Sequence, residues 1–489
     1  MNHRHATERP ALVAVFVALA ILAGACGPRS ASPRATPRAS QGSGPMVPAT
    51  ATPGPTATPT ATPTAKPWPA PTSPGTAIVA GSVDRSSLNL EATYDADVNI
   101  AVATGVVTVA VTMSVRNTSG GPIDRIELNT IAARLGNMTL RGVSVDDQPA
   151  AVTVDDQTIF VPLGGVLPDG APATVRIGYR ATLTRDLAGS DWLFSRSGGM
   201  IAMYRWIPWV SKAVPFDRPN HGDPFVTPTS SEVHVRVTTD VPMVLASPGP
   251  RPTLDGLTAT FVVSDVRDVA IVLAPDFIET IADAGGVAVR AYTRPGGLDR
   301  TRVMAQVKHA IKGIGNQVGV AYPWPSFTVA EIAGGYGMES PAMIWIPRPT
   351  TSANLPYLIH HETAHQWFYG LVGNDQQGEP FADEAAADYV ARTVLGIKRA
   401  SRCAVAPLDR DITRYSQACY YEVVYIQGGN VLDELRRNMG TAAFWSAVGG
   451  YLTDHRFGLA GTQTLLDALV KASPVDLGPI LQARFPAIY

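Results

Sequence analysis

Residues 358–370 read LIHHETAHQWFYG, and inside that stretch His361 and His365 stand four positions apart with Glu362 next to the first. On a helix, positions i and i+4 share a face, so both imidazoles reach one metal ion while Glu362 sits beside them. Two neutral imidazoles and one carboxylate leave a fourth position open to water, which is the donor chemistry of zinc. Five residues are a short pattern, and histidine-bearing helices are common. The rest of the chain has to supply the third ligand and a reason for the metal.

Working outward, residues 380–395 read as a second helix that starts at Pro380 and is rich in alanine. Eighteen residues separate His365 from Glu384, enough for a loop and an antiparallel return that brings a carboxylate to the two imidazoles. A His/His/Glu set follows, with one coordination position left for water. On spacing alone Asp383 and Asp388 serve as well, either as ligands, as partners orienting a ligand histidine, or as solvated charges.

HETAHQWF, followed at that interval by Glu384 in ADEAAADY, resembles the aminopeptidase N family of zinc metallopeptidases, the gluzincins. The resemblance implies one Zn2+ held by His361, His365 and Glu384, with Glu362 as general base. YGMES at 336–340 resembles that family's Gly-Ala-Met-Glu-Asn motif, whose glutamate binds the free α-amine of the substrate; here it is Glu339. VYIQGGNVLDELR at 424–436 resembles the helix bearing the catalytic tyrosine, here Tyr425. YLTDHRFGLAGTQTLLDAL at 451–469 resembles the helix pair closing the catalytic domain, which gives His455 a surface or capping place.

The likeness spans about 78–489, with its specific motifs within 322–469. It implies a thermolysin-like, mostly helical zinc peptidase domain that releases N-terminal amino acids from peptides by attack of a zinc-bound water. Tyr425 is then expected to donate a hydrogen bond to the oxyanion. Several residues depart from the family pattern. Tyr336 and Ser340 replace the first glycine and last asparagine of the amine-binding motif, and Gln427 replaces a common lysine. The interval from Glu384 to Tyr425 is short, and the large C-terminal helical domain of many relatives is not expected before the end at 489. These departures bear on substrate length and on recognition of the amine. A zinc endopeptidase without strict amine recognition is the alternative, and a non-catalytic peptide-binding module is the third reading.

Upstream, residues 78–290 show short runs such as VNIAVATGVVTVAVTMSVRNTS at 98–119 and SEVHVRVTTD at 231–240. Their period of two and their valine and threonine content predict antiparallel strands in a sandwich or curved sheet. YRWIPWV at 204–210 and PFDRPNHGDPF at 215–225 interrupt those strands, as a domain interface or a structured sheet loop. The expected architecture is a multidomain α+β chain, with the β domain over 78–290 and the catalytic domain over 291–489.

The front of the chain is different. Residues 11–25 are an apolar run too short to span a bilayer but normal for the core of a secretory signal. Ala23, Gly24 and Ala25 before Cys26 resemble a bacterial lipoprotein processing box, with alanine in place of the usual leucine. That resemblance implies a signal over 1–26 and lipidation at Cys26, with ordinary secretion as the alternative. Residues 27–77 are nearly all Pro, Ala, Thr, Ser and Gly and offer little to bury, so they read as a disordered, semi-extended tether. The expected location is the outer face of a bacterial membrane, with peptides and that membrane as partners. A formal charge of −2, with charged residues at 16% and no basic run, gives no sign of a nucleic-acid surface. Cys403 and Cys419, the other two of three cysteines, suit a disulfide in an exported chain.

Overall fold

Alternation along the strands builds the first half. In Val106–Asn117 the side chains of Val107, Val109, Val111, Met113 and Val115 are buried, while Thr108, Ala110, Ser114 and Arg116 face solvent. One face is therefore packed and one is wet, as antiparallel sheets allow. This strand pairs antiparallel with Leu90–Ala101 on one side and Pro172–Thr182 on the other, within an eight-stranded sheet. The buried face joins a common core with two four-stranded sheets, through residues such as Ile126, Val161, Ile201 and Leu273. The computed structural model describes residues 77–218 and 220–489. Cys26, the signal-like residues 1–26 and positions 27–76 of the Pro/Thr-rich segment lie outside the described residues.

The second half starts earlier than the composition suggests. Ile278–Asp283 and Ala288–Thr293 hydrogen-bond into the five-stranded sheet that also holds Ser326–Ile332, Met343–Pro347 and Met338–Ser340. A boundary at 290/291 thus cuts a strand, and the change of sheet falls near Phe277 instead. Composition could not show this, because the two halves use the same β-formers. Ser326–Ile332 is buried along its whole length, as an interior strand covered on both faces must be. Helix Arg300–Val318 packs here, with the Asp299 side chain accepting hydrogen bonds from the amides of Thr301 and Arg302.

From Leu355 onward the chain is mainly helical, through Leu355–Ala364, Ala386–Leu395, Gly428–Met439, Thr441–Asp454, Thr462–Ala472 and Gly478–Arg484. This is a β region followed by a thermolysin-like helical region. His455 is the C-cap residue of Thr441–Asp454. Cys403 and Cys419 are joined in a disulfide. Among the described residues no helix is long and apolar enough to cross a membrane.

The interrupting segments at 204–225 turn inward and weld the halves together. Nη2 of Arg205 donates to the Tyr369 hydroxyl at 2.7 Å, across 164 positions of sequence, and its guanidinium lies 4.0 Å over the Phe225 ring. Arg267, also buried, donates to the carbonyls of Thr227, Gly370 and Gly458. Each arginine finds acceptors from both halves, which offsets the cost of taking its charge out of water.

Candidate metal centre and active site

Helix Leu355–Ala364 places Pro356 in its first turn, where no backbone donor is lost, and ends with His365 at its C-cap. His361 and His365 therefore lie one turn apart, with their Nε2 atoms separated by 3.3 Å. Glu384 comes from a π-type turn, Phe381–Ala385, which opens just inside Pro380 and runs on into Ala386–Leu395. Its Oε2 lies 3.3 Å from Nε2 of His361 and 3.3 Å from Nε2 of His365.

Three donor atoms at the corners of a 3.3 Å triangle suit a tetrahedral zinc, because bonds of about 2.0–2.1 Å give edges of about 3.3–3.4 Å. Oε2 of Glu384 is buried and accepts no hydrogen bond among the described residues. A buried carboxylate oxygen facing two imidazole lone pairs is satisfied by a cation. Burial pushes the Glu384 carboxyl up, but the two imidazoles outweigh it and hold it well below the usual carboxylate range. The residues fit one zinc ion.

Asp383 and Asp388 take other places. Oδ1 of Asp383 lies 2.7 Å from Nδ1 of His365. A carboxylate only accepts, so Nδ1 carries the proton and Nε2 keeps its lone pair for the metal. Asp388 accepts from the Tyr357 hydroxyl at 2.6 Å, and the Tyr357 ring stacks on His361 with centroids 5.8 Å apart. Both aspartates support histidine ligands from behind.

Glu339 sits on the edge strand Met338–Ser340. The strand brings the Glu339 carboxylate, the Glu362 carboxylate and a His365 nitrogen within 4.8 Å of one another, all buried. Burial pushes Glu362 up to about 7 and drives Glu339 well above its ordinary value. Gly337 permits this approach: a Cβ there would overlap Oε1 of Glu362. Ser340, in place of the motif's asparagine, turns its hydroxyl to Asp268, and Tyr336 is exposed beside His221, with ring centroids 5.0 Å apart.

Tyr425 lies in a second π-type turn, Tyr421–Gln427, that leads into Gly428–Met439. Its ring centroid is 5.4 Å from that of His361, and it packs against Tyr420 and Tyr421. Burial and the Glu384 carboxylate keep the phenol protonated, well above its ordinary value. Two residues on, Gln427 donates to the Ser401 hydroxyl and the carbonyls of Cys403 and Ala404. The amide that replaces a lysine thus ties the tyrosine turn to the disulfide loop.

Sequence reading missed Asp223, Arg218 and Gln376. Asp223, from the segment read as a sheet interruption, is buried with Arg218 at 3.2 Å and is pushed up to about 6 by burial. Gln376, in the loop between the two ligand helices, donates to Glu339 at 3.2 Å and to Asp383 at 2.8 Å. The density of Pro, Gly and Asp in 215–225 was the available signal for a buried polar loop, and it carried no indication of the site it faces.

No protein-family model matches the chain. Among curated proteins, Aminopeptidase M1-B of Oryza sativa subsp. japonica is 22% identical over 256 residues, 44% of this chain and 29% of its own length. Aminopeptidase N of Lactobacillus delbrueckii subsp. lactis is 27% identical over 148 residues, 25% of this chain and 17% of its own length. The matched region thus spans less than a third of either relative. A point mutant of the M1 zinc metallopeptidase of Deinococcus radiodurans, bound to a Tyr-Ser-Ala substrate, superimposes with a TM-score of 0.63 at 18% identity, covering 81% of this chain and 94% of that one. A two-domain M1 zinc metallopeptidase mutant bound to L-arginine gives 0.61 at 19% identity, covering 81% and 93%. In sequence and in fold the chain is similar to M1-family gluzincin aminopeptidases.

Proposed function

We propose that the protein is a zinc aminopeptidase that hydrolyses the peptide bond next to a free N-terminus. The observation that carries this reading is the pair of buried carboxylates, Glu339 and Glu362, set within 4.8 Å of each other and of a ligand histidine. One acid beside the metal is enough for proton transfer. The second, on an edge strand and driven toward neutrality by burial, is a place for a cation such as the substrate ammonium.

When bound, zinc supplies Lewis acidity and a water of lowered pKa. His361, His365 and Glu384 hold it, and Asp383 fixes the tautomer of His365. Glu362 accepts the proton of the attacking water and returns it to the departing amine. Tyr425, kept protonated, donates to the oxygen that gains charge as the carbonyl is attacked. Glu339, held by Gln376, receives the α-ammonium and sets the register, so that one residue leaves at a time. Relatives of this fold crystallised with Tyr-Ser-Ala, L-arginine and L-tryptophan support substrates of this kind.

Comparison of a short peptide with its N-acetylated form tests the reading: the free amine should be cleaved at least a hundredfold faster. Equal rates favour the second reading, an endopeptidase, which the exposed Tyr336 and the diverted Ser340 make specific to this chain. The location belongs to the same proposal: a lipid anchor at Cys26 and a tether over 27–77 hold the enzyme outside a bacterial membrane. Loss of membrane fractionation in Cys26→Ser, with activity kept, is the expected result.

A further inference from the structure

A cleft of about 610 Å3 opens between helices Ala386–Leu395 and Gly428–Met439. Five cationic residues line it, Arg392, Lys398, Arg399, Arg436 and Arg437, against the single carboxylate of Asp433. The chain as a whole has a net charge of −2, so this concentration of cations is made by the fold. Asp433 accepts from Arg436 at 2.9 Å and from Arg437 at 3.1 Å, and Arg399 is spent on the Tyr421 hydroxyl and the Tyr357 ring. Lys398 is exposed and has no partner among the described residues.

Arg392 is the telling residue. It is 4% exposed and ion-paired through Nε to Asp388 at 2.6 Å, and its Nη1 donates to Asn430 at 3.3 Å, yet Nε and Nη2 are both buried without a hydrogen-bond acceptor among the described residues. Gly429 leaves Nη2 room, since a Cβ there would overlap it. A buried guanidinium donor without a partner is costly unless a ligand completes it. Guanidinium forks match planar or tetrahedral oxyanions in pairs of hydrogen bonds. On the flank the half-buried Trp445, stacked on the buried Tyr389 at 5.8 Å with planes 6° apart, gives an organic moiety next to the anion an apolar neighbour.

We propose that this cleft binds a phosphate-bearing anion, with Arg392 at its floor and Lys398 and Arg437 at its rim. Phosphate chemistry reaches an exported protein either as a free phosphorylated small molecule or as a phospholipid headgroup.

The test uses the full chain carrying Cys26→Ser, so that no attached lipid holds it to vesicles. It is titrated calorimetrically with inorganic phosphate and glycerol 3-phosphate, and mixed with phosphatidylglycerol or phosphatidylcholine vesicles. Saturable binding of glycerol 3-phosphate, weakened at least tenfold by Lys398→Ala with Arg437→Ala, identifies a free ligand. The same dependence on phosphatidylglycerol vesicles alone identifies a headgroup. Both rim positions are exposed, so the variant folds; Arg141→Ala with Lys471→Ala, exposed elsewhere, is the control for loss of charge. No saturable binding to any probe, or an equal loss in the control pair, overturns the site.

Discussion

Nε2 of Gln376 lies 3.2 Å from Oε1 of Glu339, and the same nitrogen lies 2.8 Å from Oδ2 of Asp383. One amide group thus spends its two donors on the acid proposed to meet the substrate terminus and on the acid behind His365. Removing both donors with Gln376→Leu should leave Glu339 poorly fixed. We expect KM for a free-amine peptide to rise about tenfold, near 1.4 kcal/mol, with a smaller change in kcat. An unchanged KM would separate Gln376 from amine recognition.

Asp383 holds the His365 ring through Nδ1. Asp383→Asn keeps the shape but offers a weaker acceptor, so zinc affinity should fall by about 10- to 100-fold. Competition with a chromophoric chelator measures this directly. Affinity equal to that of the parent protein would count against the orienting role.

Glu362→Gln and Tyr425→Phe should both retain one zinc per chain by elemental analysis. The first should lower kcat by about 10²–10⁴-fold, because the proton acceptor is gone. The second should lower it by about 10²–10³-fold, as for loss of one oxyanion donor. Normal turnover in either variant would remove the role given to that residue.

Burial raises Asp223 and Asp268 to about 6 and Glu362 to about 7, each from an ordinary carboxylate value. Between roughly pH 4 and pH 7 the unfolded chain releases these protons first, so the folded state binds more of them. The stability these groups contribute is complete below that window and is lost as pH rises through it. The Tm of the metal-free protein should therefore fall between about pH 5 and pH 7, and added zinc should flatten the fall. Calorimetry across that range would contradict the argument if the metal-free Tm rose.

The Cys403–Cys419 bond closes a loop with a sequence separation of 16. Replacing both cysteines by serine should cost about 3 kcal/mol of unfolding free energy on the chain-entropy account. Denaturant titration checks it.

The histidine pair was legible because local geometry governs it: a one-turn spacing fixes His361 against His365, whereas Glu384 was singled out from its neighbours by the family resemblance. Alternation likewise exposed the strands. What stayed hidden depends on contacts far apart in sequence. Arg205 meets Tyr369 across 164 positions, and no periodicity reports such a pair. Glu339 was found from its motif, but the strand that carries it is three residues long and has no pattern of its own. Asp383 and Asp388 could not be told from ligands by spacing, since packing decides which face of their helix turns toward the histidines.

The missing side chain of Gly337 lets the Glu362 carboxylate lie against the edge strand that carries Glu339. In the proposed roles of Glu339 and Glu362, terminus selection and proton transfer share one mechanical part. An engineer who loosens selectivity by shifting residues 338–340 will displace the base as well, so broader substrate range and turnover should trade off in any library built on that strand. Substitutions at the exposed Tyr336, by contrast, leave this contact alone and offer the safer point of entry.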